Sequence, residues 1–364
     1  MDIQAATTGY EHWLAQRLTL IAADVRAKHQ AMADPTSPFP FLRATFYRWA
    51  QVWPEVCPDL AKAPSVLAVG DLHVENFGTW RDSEGRLIWG INDLDEAYDM
   101  PYPIDLVRVA VSANLAREAG HLSITLSDVC AALLQGYRDS LDHAGDPFVL
   151  ADRHRWLRVL ATGVERDPTP FWRKLDGLAS LPIEQLPAGA RDALEHLWPE
   201  AGLQYRVAHR IAGLGSLGRQ RFLALADWRG GKVAREAKAL APSAWSWAHK
   251  SDASSEVLYQ TLLNRAVRCP DPYVELCGDW IVRRLAPDCS RIELSSLPKE
   301  RDEARLLNAM GWETANIHLG TPSAVEAVRR DLKGRKPDWL HVAATAMTAA
   351  TVDDWKAWRS ASKA

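Results

Sequence analysis

The spacing of apolar residues predicts both helices and strands along the chain. Residues 9–33 and 41–53 repeat apolar side chains at steps of three and four, which is typical of amphipathic helices. The short apolar run at 65–69 predicts a strand, and residues 77–92 predict a β-hairpin. Helical spacing then continues from Asp105 to about residue 200.

The pattern changes after residue 204. The strand-like stretches RVAHRIA and RQRFLALAD stand on either side of a glycine-rich turn, and the strand-like KVAREAK follows them. Beyond them the sequence predicts a helix, an extended segment and three more helices, at 253–268, 279–286, 300–319, 323–332 and 352–359. We therefore predict an α+β fold in which a small antiparallel sheet accompanies a larger helical part.

Composition narrows the class of protein. The chain has 364 residues, 47% apolar and 24% charged, which fits a folded protein with two lobes or domains. The net charge of −3 gives no general attraction to nucleic acid. The sequence lacks both a membrane-length apolar run and the pattern of a secretory signal. Its five cysteines are scattered, which favours a reducing compartment. From the charge, the apolar pattern and the cysteines together we expect a cytoplasmic protein without nucleic-acid or membrane partners.

The stretch VGDLHVENFG at 69–78 carries the most chemical information. A predicted strand leads into Asp71, Asn76 follows, and the hairpin then leads to Asp93. Phosphoryl transfer requires a carboxylate that accepts the proton of the attacking hydroxyl and oxygen ligands that hold Mg²⁺ against the phosphates. Asp71 is the candidate base, and Asn76 and Asp93 are the candidate metal ligands. The alternative is that Asp71 and Asn76 only stabilise a turn.

The same stretch resembles the catalytic loop of aminoglycoside and choline-type phosphotransferases of the protein-kinase-like superfamily, H-G-D-x-H-x-x-N followed by a hairpin and I-D-[FW]. The resemblance implies a base, a loop histidine and two metal ligands, at Asp71, His73, Asn76 and Asp93. His73 is alternatively a hydrogen-bonded residue that braces the loop. Valine replaces the usual first histidine at position 69. Asp95 is a second acid, so the choice of metal ligand between Asp93 and Asp95 stays open.

The longer run GDLHVENFGTW…INDLDEAYDMPYPIDLVR resembles the DUF2252 family, and we expect this similarity over most of the chain. Asp105 takes the place of the aspartate that braces the catalytic loop in the phosphotransferases, with a helix N-cap as the alternative. Arg43 is a weaker candidate for a phosphate contact, with a surface salt bridge as the alternative.

The ATP-binding lobe of a kinase precedes its catalytic loop, but the residues before Asp71 contain neither a glycine-rich loop nor a lysine strand. Both occur downstream. A G-x-G-x-x-G motif would bring backbone N–H groups close to phosphates, at Gly213, Gly215, Ser216 and Gly218. Lys238 follows on a predicted strand, with Lys232 as its competitor, and Glu256 stands near the start of a predicted helix. This is the order of a kinase small lobe.

Each of these features has an alternative. The glycine motif could form a dinucleotide-binding turn with Glu236 as its acid. That turn needs a helix directly after the glycines, whereas residues 227–231 predict a hairpin. Lys238 could be a solvated lysine at a strand edge, and Glu256 an acid favoured by a helix dipole.

Together these observations predict a circularly permuted, two-lobed protein-kinase-like fold. The large lobe would comprise residues 1–203 and 291–364, and the small nucleotide-binding lobe residues 204–290. The function expected is ATP- and Mg²⁺-dependent phosphoryl transfer to a hydroxyl of an unknown, small-molecule acceptor. Two alternatives are a nucleotide-binding pseudokinase that serves as a scaffold and a nucleotidyl transferase on the same fold.

Overall fold

The computed structural model describes residues 1–162, 167–250, 256–289 and 302–362. Its helices are α1 (Ile3–Ala15), α2 (Ala22–Met32), α3 (Phe39–Ala44), α4 (Phe46–Val56), α5 (Pro103–Glu118), α6 (Leu126–Asp142), α7 (Arg155–Ala161), α8 (Pro168–Asp176), α9 (Ala188–His196), α10 (Ala244–Ala248), α11 (Tyr259–Arg265), α12 (Glu303–His318), α13 (Val325–Gly334) and α14 (Trp339–Ala361). Its strands are β1 (Ser65–Ala68), β2 (Phe77–Arg81), β3 (Leu87–Ile91), β4 (Tyr98–Pro101), β5 (Phe148–Val149), β6 (Ser180–Leu181), β7 (Arg206–His209), β8 (Arg221–Trp228), β9 (Gly231–Ala239), β10 (Val274–Cys277) and β11 (Trp280–Leu285).

The strands form three antiparallel sheets within the described ranges. β1 pairs with β4, the predicted hairpin β2–β3 is extended by β5, and the largest sheet has the order β10-β11-β9-β8-β7-β6. The α+β class with small antiparallel sheets is therefore confirmed. β6 lies before the predicted lobe boundary at residue 204, so the six-stranded sheet also draws on earlier residues.

The two faces of the six-stranded sheet have different chemistry because side chains alternate along each strand. One face packs its apolar residues, such as Ala237 and Val282, against α9. On the other face, register places three cations and one acid together: Arg221, Lys238, Glu236 and Arg283. Helix α8 covers the far end of this second face through Leu175, which leaves the charged end for the site described below.

The N-terminal segment contains two helices instead of the single helix predicted at 9–33. The chain leaves helical geometry between α1 and α2 because it pairs with the glycine-rich segment. Leu20 forms a β-bridge with Arg219, and the Ile21 N–H donates to the Gly218 carbonyl at 2.7 Å. The local spacing of apolar residues contains no sign of this long-range pairing, so it predicts one continuous helix where the chain forms two.

Other predicted elements differ in extent. The predicted helix at 41–53 is divided into α3 and α4, and the predicted short helix at 352–359 is the last part of the longer α14. Within the predicted helix at 253–268 the structure contains α11, which begins at Tyr259; residues 251–255 lie outside the described residues. The stretch predicted as helical throughout to residue 200 also includes β5 and β6.

Helices α6 and α12 cross in such close contact that glycine is required on both. A Cβ added at Gly311 would lie 2.0 Å from the Leu133 carbonyl oxygen, and one added at Gly136 would lie 1.8 Å from the Asn308 carbonyl oxygen. Both obstacles are backbone atoms, so a side-chain rotation cannot relieve the clash. The two glycines therefore fix the distance between these helices.

Gly311→Ala is expected to destabilise the protein by about 2–3 kcal/mol, because the two helices must separate to admit the methyl group. Gly334→Ala, at the end of α13 with open space around it, is the matched control and should change stability little. Urea unfolding of both variants measures the difference. Equal midpoints would contradict this account of the helix contact.

Candidate functional site

Gly70 begins the predicted catalytic loop by turning the chain away from β1. Its φ is +81°, and a Cβ here would lie 2.8 Å from the Glu96 carbonyl oxygen, so glycine satisfies both the conformation and the close approach. Asp105 on α5 holds the turn, since its two carboxylate oxygens each accept from a backbone N–H, of Val69 and of Gly70, at 2.8 Å. Asp105 thus braces the loop and does not cap α5.

The rest of the loop is held by its own side chains. Asn76 Oδ1 accepts from the His73 backbone N–H at 2.7 Å, and His73 Nδ1 accepts from the Glu75 N–H at 3.2 Å. Both side chains are largely buried but reach the cavity described below. Arg43 forms a salt bridge with Glu75 at 2.7 Å, which was the alternative predicted for it. Both residues line the same cavity.

Asp71 is tied to Arg108, a residue that the sequence did not single out. Arg108 is fully buried on α5, and its Nε donates to Asp71 Oδ1 at 2.9 Å while its Nη2 donates to the Leu42 carbonyl. Burial raises the pKa of Asp71 to about 7, although Arg108 opposes the rise. The signal in the sequence was a single arginine within the apolar run LVRVAV, because a cation in a buried helix requires a partner.

Asp93 and Asp95 follow β3 and meet Lys238 of β9. Lys238 Nζ lies 3.2 Å from Asp93 Oδ1 and 2.6 Å from Asp95 Oδ2. Burial alone would raise the pKa of Asp93, but Lys238 and then Arg283 hold it below its usual range. The pKa of Asp95 is raised by burial and by the neighbouring Asp93 carboxylate. The competitor Lys232 instead pairs with two exposed acids, Asp176 at the end of α8 and Asp227 on β8.

The glycine-rich segment joins the antiparallel strands β7 and β8 and makes one short 3₁₀ turn. Gly213 and Gly218 have positive φ, and a Cβ at Gly215 would lie 3.0 Å from Asp71 Oδ2. The segment therefore lies against Asp71. A strand, β8, follows the glycines where a dinucleotide-binding turn requires a helix, so that alternative is wrong.

Glu236, considered above as the acid of a dinucleotide-binding turn, is surrounded by arginines. Arg221 Nη1 and Arg283 Nε each donate to its Oε1 at 2.9 Å, and Arg210 also pairs with it. Burial would raise the pKa of Glu236, but the arginines hold it well below its usual range. Arg221 also donates to Ser216 Oγ at 2.7 Å, which links this cationic group to the glycine-rich segment.

One cavity of about 550 Å³ joins these groups. Its lining contains the loop residues, both acids and most of the glycine-rich segment: Asp71, His73, Asn76, Asp93, Asp95, Gly213, Gly215 and Ser216. Lys238 is 4% exposed and reaches the acids from the sheet. Glu256 stands before α11, is exposed, and makes no ion pair with Lys238 among the described residues, so its role stays a prediction.

Residues 20–155 match the family described as Uncharacterized protein conserved in bacteria (DUF2252). The match supports the family assignment over this segment. The matched segment contains the predicted catalytic loop, the acid pair and Asp105, but it ends before the six-stranded sheet and is narrower than the predicted similarity over most of the chain. No curated protein and no solved structure matches the chain. The kinase-like relationship therefore stays a prediction.

The three predicted metal ligands all lie in the matched segment and line the cavity. Asn76, Asp93 and Asp95 offer one amide and two carboxylate groups, which are oxygen donors as Mg²⁺ requires. A different group of possible metal ligands lies outside this cavity among the described residues. It consists of His196, Glu275 and Cys277, whose ligand atoms are close enough together to share an ion.

Across the described parts of the chain, no helix combines the length and apolar character needed to cross a bilayer.

Proposed function

We propose that this protein is an ATP- and Mg²⁺-dependent phosphotransferase that acts on a hydroxyl of a small-molecule acceptor, with a circularly permuted kinase-like arrangement. One observation carries the proposal: groups far apart in the sequence meet at one cavity. Lys238 Nζ lies 3.2 Å from Asp93, and Gly215 lies against Asp71. A base, acids suited to a metal, a strand lysine and a glycine-rich segment are the parts that phosphoryl transfer requires.

Asp71 has the properties of the proposed base. In the reaction its carboxylate would take the proton of the acceptor hydroxyl, the hydroxyl oxygen would bond to the γ-phosphorus, and the bond to the leaving oxygen of ADP would break. A base is most effective when its pKa lies near the working pH, and the pKa of Asp71 is raised to about 7. Arg108 and Asp105 would keep the carboxylate in position.

The cationic face of the sheet is suited to a triphosphate. Arg221 and Arg283 bind one shared acid, Glu236, so the group retains excess positive charge beside the glycine-rich segment. Arginine binds phosphate oxygens through a planar pair of N–H groups. These arginines, together with Lys238 and the backbone of 213–216, would hold the nucleotide phosphates. Gly218, also predicted as a nucleotide contact, does not line the cavity, and its carbonyl accepts from the Ile21 N–H.

Exposure favours Asp93 over Asp95 as the main metal ligand. The Asp93 side chain is 37% exposed to the cavity, whereas the Asp95 side chain is 10% exposed and lies against Lys238 and Arg219. Asn76 would be the second ligand, since its Oδ1 keeps a lone pair beyond the one that His73 uses. Bound Mg²⁺ would neutralise phosphate charge and orient the transferred group.

MgATP is expected to raise the melting temperature more than ATP with a chelator does. A ligand at 100 times its Kd stabilises the folded state by about 2.7 kcal/mol, which a thermal shift detects. Asp93→Ala should abolish the metal-dependent part of the shift, and Asp95→Ala should retain some of it. If the shift persists in Asp93→Ala and disappears in Asp95→Ala, the ligand assignment is wrong.

Labelled ATP distinguishes the proposal from its two alternatives. A phosphotransferase moves the label of γ-labelled ATP to an acceptor, a nucleotidyl transferase moves the label of α-labelled ATP, and a nucleotide-binding scaffold moves neither. The experiment is a screen of hydroxylated metabolites with both labels, with the Asp71→Asn variant as the blank. Transfer of the α-label alone would replace the proposed reaction by nucleotidyl transfer.

A further inference from the structure

Lys28 is a buried lysine that has no role in the phosphoryl transfer proposed above. It lies on α2, is 4% exposed and lines the same cavity as Asp71. Its ammonium stands 5.5 Å from the centroid of the Tyr47 ring. Within the described ranges, neither a hydrogen bond nor an ion pair joins Lys28 to any acceptor.

The acids whose charge acts most on Lys28 are already hydrogen-bonded to other side chains. Glu11, Asp71 and Glu96 are the carboxylates whose charge acts on it most. Each accepts a hydrogen bond from a different side chain, in the pairs His29–Glu11 at 2.7 Å, Arg108–Asp71 at 2.9 Å and Arg219–Glu96 at 3.0 Å. These three acids and the Arg219 cation therefore all act on the charge of Lys28, and none of the acids is its direct partner.

A buried ammonium without a partner costs free energy unless an anion or acceptor offsets the lost hydration. Burial lowers the pKa of Lys28 to about 8, so the side chain still carries its proton at neutral pH. Lys28 is therefore a buried ammonium that faces a cavity, and it is suited to bind an anion that enters from solvent.

The position of Lys28 favours the acceptor over the nucleotide as the source of that anion. The cations that act most on Asp93 belong to the sheet, Lys238 and Arg283 first. Lys28 comes instead from the N-terminal helices. Asp71, the proposed base, is among the acids whose charge raises its pKa. The stacked rings of Tyr10 and Tyr47, with centroids 4.5 Å apart, line the cavity on the same side and offer an apolar wall for a carbon skeleton.

We propose that Lys28 forms an anion subsite beside Asp71 and binds a carboxylate or phosphate group that the acceptor carries near its reacting hydroxyl. The identification of the ligand as the acceptor rests on the proposed function, whereas the anion subsite does not. The substrate class is accordingly an anionic hydroxylated small molecule.

Inorganic phosphate tests the subsite without any nucleotide. Calorimetric titration is expected to include a phosphate-binding event, separate from any binding at the arginines of the sheet, that Lys28→Met weakens about tenfold or more, because a charge-assisted hydrogen bond is lost. Lys28→Arg should retain the affinity within a few fold. Lys174→Met, which removes an exposed lysine at the rim of the same cavity, is the matched control and should bind like the parent. Circular dichroism checks that each variant is folded.

A second titration, at saturating MgATP, identifies the source of the anion. Phosphate that still binds through Lys28 supports an acceptor site, whereas competition between phosphate and ATP at Lys28 would assign the lysine to the nucleotide and overturn the proposal. Unchanged phosphate affinity in Lys28→Met, or the absence of binding in the parent, would also overturn it. Failure of ATP to bind would count against the proposed function alone, because the first titration needs no nucleotide.

Discussion

Asp71→Asn is expected to reduce phosphate transfer by about 10²–10⁴-fold while MgATP affinity changes little. Asparagine has nearly the shape of aspartate and can still accept from Arg108, but it cannot take up the proton of a hydroxyl. Transfer of γ-label to water or to an acceptor found by the screen measures the first effect, and calorimetry with MgATP measures the second. Asp99→Asn, on the exposed part of β4, is the matched control.

The pH profile of transfer gives this prediction a second readout. Because burial raises the pKa of Asp71 to about 7, the carboxyl takes up its proton as pH falls through neutrality, and the transfer rate should fall with it. Above about pH 7 the carboxylate form predominates and the rate should level off. The residual rate of Asp71→Asn should lack this acidic limb. A variant that transfers phosphate as fast as the parent would remove Asp71 from the mechanism.

Local patterns in the sequence were sufficient for the elements that carry the site. The apolar run before Gly70 and the turn residues after Trp80 are short-range signals, and they correctly predicted β1 and the hairpin β2–β3. Alternation along KVAREAK likewise predicted a strand, on which Glu236 and Lys238 share one face because side chains repeat every second residue. These predictions depend only on neighbours in the chain.

The partners of the charged residues could not be predicted in this way. Arg108 meets Asp71, and Arg219 meets Glu96 across more than a hundred residues, because helices and sheet pack together in three dimensions. Spacing along the chain contains no information about which distant acid a cation will reach. Lys28 is the clearest case, since in the sequence it is one lysine in a polar helical stretch and in the structure it is buried at the cavity.

Lys238→Met is expected to lower the free energy of unfolding by about 3–5 kcal/mol near pH 8, because it leaves Asp93 and Asp95 without their shared buried cation. It should also abolish MgATP binding. Lys232→Met, on the same strand, removes only exposed ion pairs with Asp176 and Asp227, so its cost should stay within about 1 kcal/mol. Urea unfolding and calorimetry with MgATP compare the two variants directly.

The loss in Lys238→Met should shrink as the pH is lowered. Lys238 holds the pKa of Asp93 below its usual range, so this ion pair still contributes stability at pH 5 and loses it only in more acidic solution, below the unfolded pKa. The pKa of Asp95 is already raised in the parent, so this carboxyl is neutralised first on acidification and then needs no cation. Adding Asp95→Asn to Lys238→Met should restore part of the stability at pH 8 by the same reasoning. If the deficit is the same at pH 8 and pH 5 and the second substitution recovers nothing, Lys238 does not compensate the acid pair, and its contact with Asp93 and Asp95 does not stabilise the fold.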